Sequence, residues 1–268
     1  MAKPWRGPLR VYLMGELSFV AGGSVLGADR LPGRQGRLAT AVLVMERSRP
    51  VPRDELADIL WPGSLPASFD VGLSAIVSKL RAALAAIGLG RDALMAAGGC
   101  YQLVLPPPAW VDVETAIEGV HLAEGALLAG RHAAAYGPAV VAAAILRRPF
   151  LPGLEGSWID ARRDVLRAAH LRALDCLADV HEWNGEHALA LRAAQEAVDT
   201  EPYRESGYRR LMELHDRAGN PAEALRVYER LSSVIGRDLR TVPGAESRAL
   251  RDRIADGQSA ERKNVVKK

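Results

Sequence analysis

The chain has 268 residues, 49% of them hydrophobic and 25% charged, with a formal net charge of +3. That length admits one large or two ordinary domains with a sizeable core, and the composition excludes a chain disordered throughout. No run of about 18 apolar residues occurs, which argues against a membrane-spanning helix, and Lys3 and Arg6 precede only a short apolar stretch at 9–14, too brief for the core of a secretory signal.

From the N-terminus, residues 9–14 and 17–20 read as two short strands broken at Gly15, with a third at 25–26 and a turn at Gly22-Gly23. Residues 34–47 predict a helix with Leu38, Ala41, Val42 and Met45 on one face, ended by Pro50 and Pro52. A shorter helix follows over 53–60, then a turn between Pro62 and Pro66. Residues 68–84 form the longest amphipathic stretch of this half. Leu73, Ile76, Val77, Leu80 and Leu84 make its apolar face, Ser68 is its candidate N-cap, and Val71, Ala75, Ser78, Lys79 and Ala82 lie opposite. Residues 93–97 and 100–105 read as two strands around Gly98-Gly99. Helix, turn, longer helix and hairpin is the order of a winged helix-turn-helix, whose long helix enters a DNA major groove. A helix that merely packs a small domain has the same periodicity. Arg53, near a helix N-terminus, suits a phosphate, because backbone N–H groups and a guanidinium converge there; a plain surface arginine fits the position equally.

Residues 106–112, PPPAWVD, read as a stiff extended link and mark the expected domain boundary. The organisation is then a winged-helix domain over 1–106, a helical domain over 107–256, and a disordered basic tail over 257–268. Residues 1–112 carry twelve Lys and Arg against nine Asp and Glu, while 113–268 carry 23 of each. The small positive excess thus falls in the half read as DNA-binding, and is modest for that role. The tail, with Arg262, Lys263, Lys267 and Lys268, suits a solvated terminus or phosphate contact.

The second half contains a repeat of 34 residues: Leu174 with Tyr208, Leu177 with Leu211, Val180 with Leu214, Gly185 with Gly219, Ala188 with Ala222, Ala190 with Ala224 and Leu191 with Leu225. That is the tetratricopeptide period, with small residues where paired helices cross closely. Residues 122–130 and 139–146 are a candidate earlier pair, and 148–153 a loop before a helix over 158–177. The fold class is therefore mainly α: an N-terminal winged helix-turn-helix (α+β) followed by an all-α tetratricopeptide-like helical-repeat domain.

No catalytic signature appears. The six histidines form neither HExxH nor a metal spacing with cysteine, and no Walker loop, GxSxG elbow or dinucleotide fingerprint occurs. No enzyme activity, metal or cofactor is expected. Cys100 and Cys176 form no CxxC, as suits a cytoplasmic protein with free thiols.

Read together, the two halves resemble the Streptomyces antibiotic regulatory protein (SARP) family, which joins an OmpR-like winged helix to a bacterial transcriptional activator domain. The stretches LPGRQGRLATAVLVMERSRPVPRDELADILWP, LSAIVSKLRAAL, GGCYQL and PAWVDVE resemble the family's first domain and link; RPFLPGLEGSWIDARRDVLR, EPYRESGYRRLM and GNPAEALRVYERL resemble its second. The resemblance spans roughly residues 8–254. It implies binding of double-stranded promoter DNA at direct repeats by side-by-side protomers, contact with RNA polymerase including its sigma factor, and activation of transcription. The candidate DNA contacts are Arg34, Arg37, Arg53, Ser68, Ser74, Ala75, Ser78, Lys79, Arg81 and Tyr101.

The chain departs from the family at the long helix. Members often carry Arg, Asn, Gln or His around the positions of Val71, Ser74 and Ile76, where this face offers Ser, Ala and Val. Bidentate base contacts are then mostly unavailable, leaving Lys79, the hydroxyls, thymine-methyl contacts by Val71, Ala75 and Ala82, and DNA shape. Arg81, at the flank of the apolar face, is open to a phosphate or an internal ion pair. Beside the activator stand two alternatives: an interaction scaffold with a weakened DNA-binding winged helix, and a ligand-gated regulator whose repeat groove takes a small molecule or peptide.

Overall fold

The computed structural model describes residues 9–265; Lys3, Arg6, Lys267 and Lys268 lie outside the described residues. Its contacts divide the chain into two compact units, one comprising residues up to Glu118 together with Ala144–Leu166, the other Gly119–Ala143 together with residues from Arg167 onward.

In the first unit, β1 (Leu9–Tyr12), β2 (Ser18–Ala21) and β3 (Ser24–Gly27) form an antiparallel meander. Leu9, Val11, Phe19 and Leu26 are fully buried, as the period of two requires. The hairpin between β2 and β3 turns on Gly22 and Gly23, at φ of +56° and +85°, the left-handed pair that glycine adopts without strain. The fourth strand is the finding that the sequence hid. Residues 106–112 are not a free link: β7 (Ala109–Val111) pairs in parallel with β1, Val11 opposite Val111, giving the order β3-β2-β1-β7. Nor do the prolines run extended: the backbone bends at Pro107 and Pro108, which are joined by a cis peptide bond, and only Ala109, Trp110 and Val111 form the strand by pairing. Trp110 also meets Tyr12 edge-on at 5.3 Å.

Immediately after β7, α4 (Asp112–Leu128) begins on a carboxylate that is completely buried. Asp112 accepts from the backbone N–H of Leu13 (3.0 and 2.9 Å to its two oxygens), Met14 (2.8 Å) and Val113 (2.8 Å). Burial pushes this carboxyl up from its ordinary range, against the three amides that favour the ionised form. The loop after α5 (His132–Leu146) docks on the same corner. Gly15 donates to the Pro149 carbonyl at 2.7 Å and Leu151 to that of Leu13 at 3.1 Å. Arg163 of α6 (Ser157–Trp183) donates to the carbonyls of Phe150, Leu151 and Leu154 at 2.9–3.2 Å.

The rest of the first unit is α1 (Gly33–Met45), α2 (Arg53–Leu60) and α3 (Phe69–Ala86) with a second sheet of β4 (Val51–Pro52), β5 (Leu94–Ala97) and β6 (Cys100–Leu103) in the order β4-β6-β5. The apolar face read for the long helix is the buried face of α3, all five residues at or below 9% exposure. The first helix departs from its single-face reading: every residue from Leu38 to Val44 is buried while Met45 is half-buried, because α1 meets α2, α3 and β6.

The second unit, among the described residues, is helical throughout. It adds α7 (His187–Thr200), α8 (Glu205–Arg217), α9 (Pro221–Leu239) and α10 (Ala245–Val265) to parts of α4, α5 and α6. The 34-residue repeat has a structural counterpart. Gly185 and Gly219 close α6 and α8 at φ of +76° and +75°, and Ala190 and Ala224, one in each copy, are completely buried. Ala190, Ala194 and Val198 of α7 share a core with Tyr208, Leu211 and Leu214 of α8 and Leu231 of α9. Small side chains let these backbones approach, and most of the helical stability comes from that packing. Ion pairs run beside it, Asp175 with Arg204 (2.7 Å), Asp179 with Arg210 and Glu182 with Arg217 (2.8 Å); partly exposed, they contribute little individually. The disordered tail expected from 257 is instead the continuation of α10 as far as Val265. The one glycine of that stretch, Gly257, costs a helix only about 1 kcal/mol.

Candidate nucleic-acid interface

The α2–turn–α3 unit and the β5–β6 hairpin bring one surface together. Turn geometry sets it: Gly98 and Gly99, at φ of +58° and +72°, fold the hairpin back tightly. The space between α3 and β5 is a groove of about 640 Å³ lined by Ser78, Arg81, Ala82 and Ala85 on one side and Asp92, Leu94, Met95 and Ala96 on the other. Along α3 the solvent face carries Val71, Ser74, Ala75, Ser78, Lys79 and Ala82, all exposed.

The candidate contacts divide into those on this face and those beneath it. Ser74, Ala75, Ser78 and Lys79 stand together on it. Ser68 is exposed at the N-cap position, but its hydroxyl makes no capping hydrogen bond, contrary to the role read for it. Arg53 opens α2 and is committed internally. Its guanidinium donates to Tyr101 Oη at 2.6 Å and to Asp70 Oδ1 at 2.7 Å, and it lies 5.4 Å from the Tyr101 ring centre. Its own N–H donates to the Gly99 carbonyl at 3.0 Å. One side chain therefore fastens the start of α2, the first turn of α3 and β6 together. Asp70 in turn holds that guanidinium more firmly protonated. Tyr101 is buried, with 3% exposure, and serves as Arg53's acceptor rather than as a surface group.

Arg81, open to either role in the sequence, donates through Nε to the Leu94 carbonyl at 2.9 Å and pins β5 to α3. Arg34 donates to the Glu155 carbonyl at 2.6 Å. Arg37 is half-buried, with its Nε enclosed and unbonded. Both stand on α1 rather than on the α3 face. Sequence reasoning missed Asp70: an acid in the first turn of a helix is explained by the helix dipole alone, and only tertiary packing places it opposite Arg53.

Arg53→Ala leaves the buried Tyr101 hydroxyl and the Asp70 carboxylate without this partner. The expected cost is about 2 kcal/mol in urea unfolding, with Arg53→Lys recovering only part, because an ammonium cannot fork to two acceptors as a guanidinium does.

The Bacterial transcriptional activator domain family matches residues 111–255. Over 241 residues the chain is 31% identical to Transcriptional regulatory protein EmbR of Mycobacterium bovis, a match covering 86% of this chain and 60% of that protein; the same figures hold for EmbR of Mycobacterium tuberculosis. Among solved structures, Mycobacterium tuberculosis EmbR in complex with low affinity phosphopeptide superposes with a TM-score of 0.81 at 25% identity, covering 93% of this chain and 65% of that one. The chain thus spans about 60% of the length of the curated relatives it matches.

Proposed function

The chain belongs to the bacterial transcriptional activator domain family, and from that premise we propose that it is a DNA-binding transcriptional activator. Residues 1–106 act as the DNA-binding part and 107–256 as the part that meets RNA polymerase, including its sigma factor. The observation that carries the DNA-binding reading is the exposed α3 face beside the β5–β6 hairpin. The arginines beneath it, Arg53 and Arg81, are spent on holding that surface in shape, which is the preorganisation a recognition helix needs. The second part carries 19 Lys and Arg against 23 Asp and Glu, so attraction to DNA is not its task; a repeat surface of that kind suits a protein partner.

The protein works without catalysis or cofactor. Its place is the cytoplasm, where its cysteines stay free: Cys176 is buried, and burial, reinforced by Glu124, Asp179 and Asp175, pushes its thiol up to about 12. Few charged contacts per module make a single site weak. Two protomers on adjacent direct repeats raise each other's effective concentration.

Transcription by purified polymerase from a template carrying two selected repeats tests the reading, with light scattering of the protein–duplex complex beside it. The expected result is two chains per two-repeat duplex and transcript rising with occupancy. One chain per duplex at saturation contradicts side-by-side pairing. Binding without any rise in transcript contradicts activation and favours the interaction scaffold.

A further inference from the structure

We propose that Val71, with Ala75 and Ala82 on the same exposed face of α3, reads the 5-methyl groups of thymines in the major groove and so supplies the sequence preference of this protein. The inference rests on the DNA-binding reading above and names what that surface recognises.

Val71 is 73% exposed. A β-branched, apolar residue there has lower helix propensity than a straight-chain one and leaves bare hydrocarbon in water, so within the isolated chain the choice gains nothing. It is the third residue of α3, which begins at Phe69, and the first residues of a recognition helix are those that reach base edges. The rest of the face is equally telling in its chemistry. Among the described residues exposed there are serines, alanines and Lys79; the arginine, asparagine and glutamine forks that identify guanine and adenine are missing. The charged groups nearest to it have other partners. Asp70 is held by Arg53 at 2.7 Å, which neutralises a carboxylate that phosphates would repel, and Arg81 is held by the Leu94 carbonyl at 2.9 Å.

On the DNA side, the thymine methyl is the one apolar group among the recognition features of the major-groove edges. An apolar helix face can therefore distinguish thymine from the other bases by contact and desolvation alone. Ser74 and Ser78 can hydrogen-bond to several edges and discriminate weakly, while Lys79 acts as a point charge toward phosphate, independent of sequence.

The test starts by selecting duplexes from a random pool with the full chain. In the selected duplex each thymine is then replaced singly by deoxyuridine, which keeps every hydrogen-bonding group and removes only the methyl. Affinity is expected to fall about fourfold at one position or more, as for exposing one methyl-sized group. Val71→Ala, at an exposed helix position where alanine has the higher helix propensity and should not lower the melting temperature, should weaken binding to the thymine duplex and make at least one of those deoxyuridine replacements neutral. That loss of sensitivity separates direct contact from an effect of the methyl on DNA shape. Deoxyuridine duplexes that all bind like the parent overturn the inference alone, as does a deoxyuridine penalty identical in Val71→Ala and the parent at every position. A pool from which duplex is retained without any enriched sequence overturns the inference alone; a pool from which no duplex is retained overturns it together with the DNA-binding reading.

Discussion

Replacing Asp112 by alanine is expected to destabilise the first unit by about 3 kcal/mol, measured as the shift in urea unfolding of the full chain. The carboxylate is wholly buried and accepts from three backbone amides, two of them 98 and 99 residues away in sequence. Alanine removes the acceptor and leaves the Leu13 and Met14 N–H groups facing a small apolar side chain. These amides lie just beyond β1, where Met14 also bridges to Phe150. The loss is therefore expected to spread: β7 loosens from β1, and the loop carrying Phe150 and Leu151 loses its seat. A fragment ending at Pro107 is expected to behave worse still, since it lacks both β7 and Asp112. A shift below about 1 kcal/mol for Asp112→Ala would mean that the amides find other partners.

The second large effect concerns the hidden face of α3. Leu80, 2% exposed, packs with the face formed by Leu73, Ile76, Val77 and Leu84. Leu80→Asp removes a filled volume and buries a carboxylate for which this apolar face has no cation, at an expected cost of about 5 kcal/mol. That is comparable with the whole stability of many domains, so the first unit should lose its cooperative unfolding transition and every trace of DNA binding. Its neighbour in sequence, Lys79, is exposed, and Lys79→Ala should leave the transition where it was. Adjacent residues on opposite faces thus separate folding from binding.

What could be read in the sequence was whatever repeats locally. The α3 core face follows from its helical spacing, and the paired glycines and alanines of the second unit follow from their period of 34 residues. What could not be read depends on partners far along the chain. Three prolines followed by three strand-forming residues look like a spacer until β1 is placed beside them. Asp112 looks like an ordinary first-turn acid, and its buried role exists only because Leu13 and Met14 turn their amides toward it. Arg53 and Arg81 were reasonable phosphate ligands by type and position, yet Asp70, Tyr101 and the Leu94 carbonyl hold both. The candidate site is thus smaller and less charged than its residue types suggest, and the α3 face with Lys79 is what the fold leaves outward.

Titration of a fluorescent duplex, chosen by selection with the full chain, at two salt concentrations tests the central claim most directly, with the parent and Lys79→Ala compared. The account predicts binding of the parent that weakens as salt rises, and for Lys79→Ala weaker binding with a slope smaller by about one counterion, both proteins melting alike. Binding indifferent to salt, or Lys79→Ala identical to the parent on every duplex, would contradict the assignment of the α3 face to DNA.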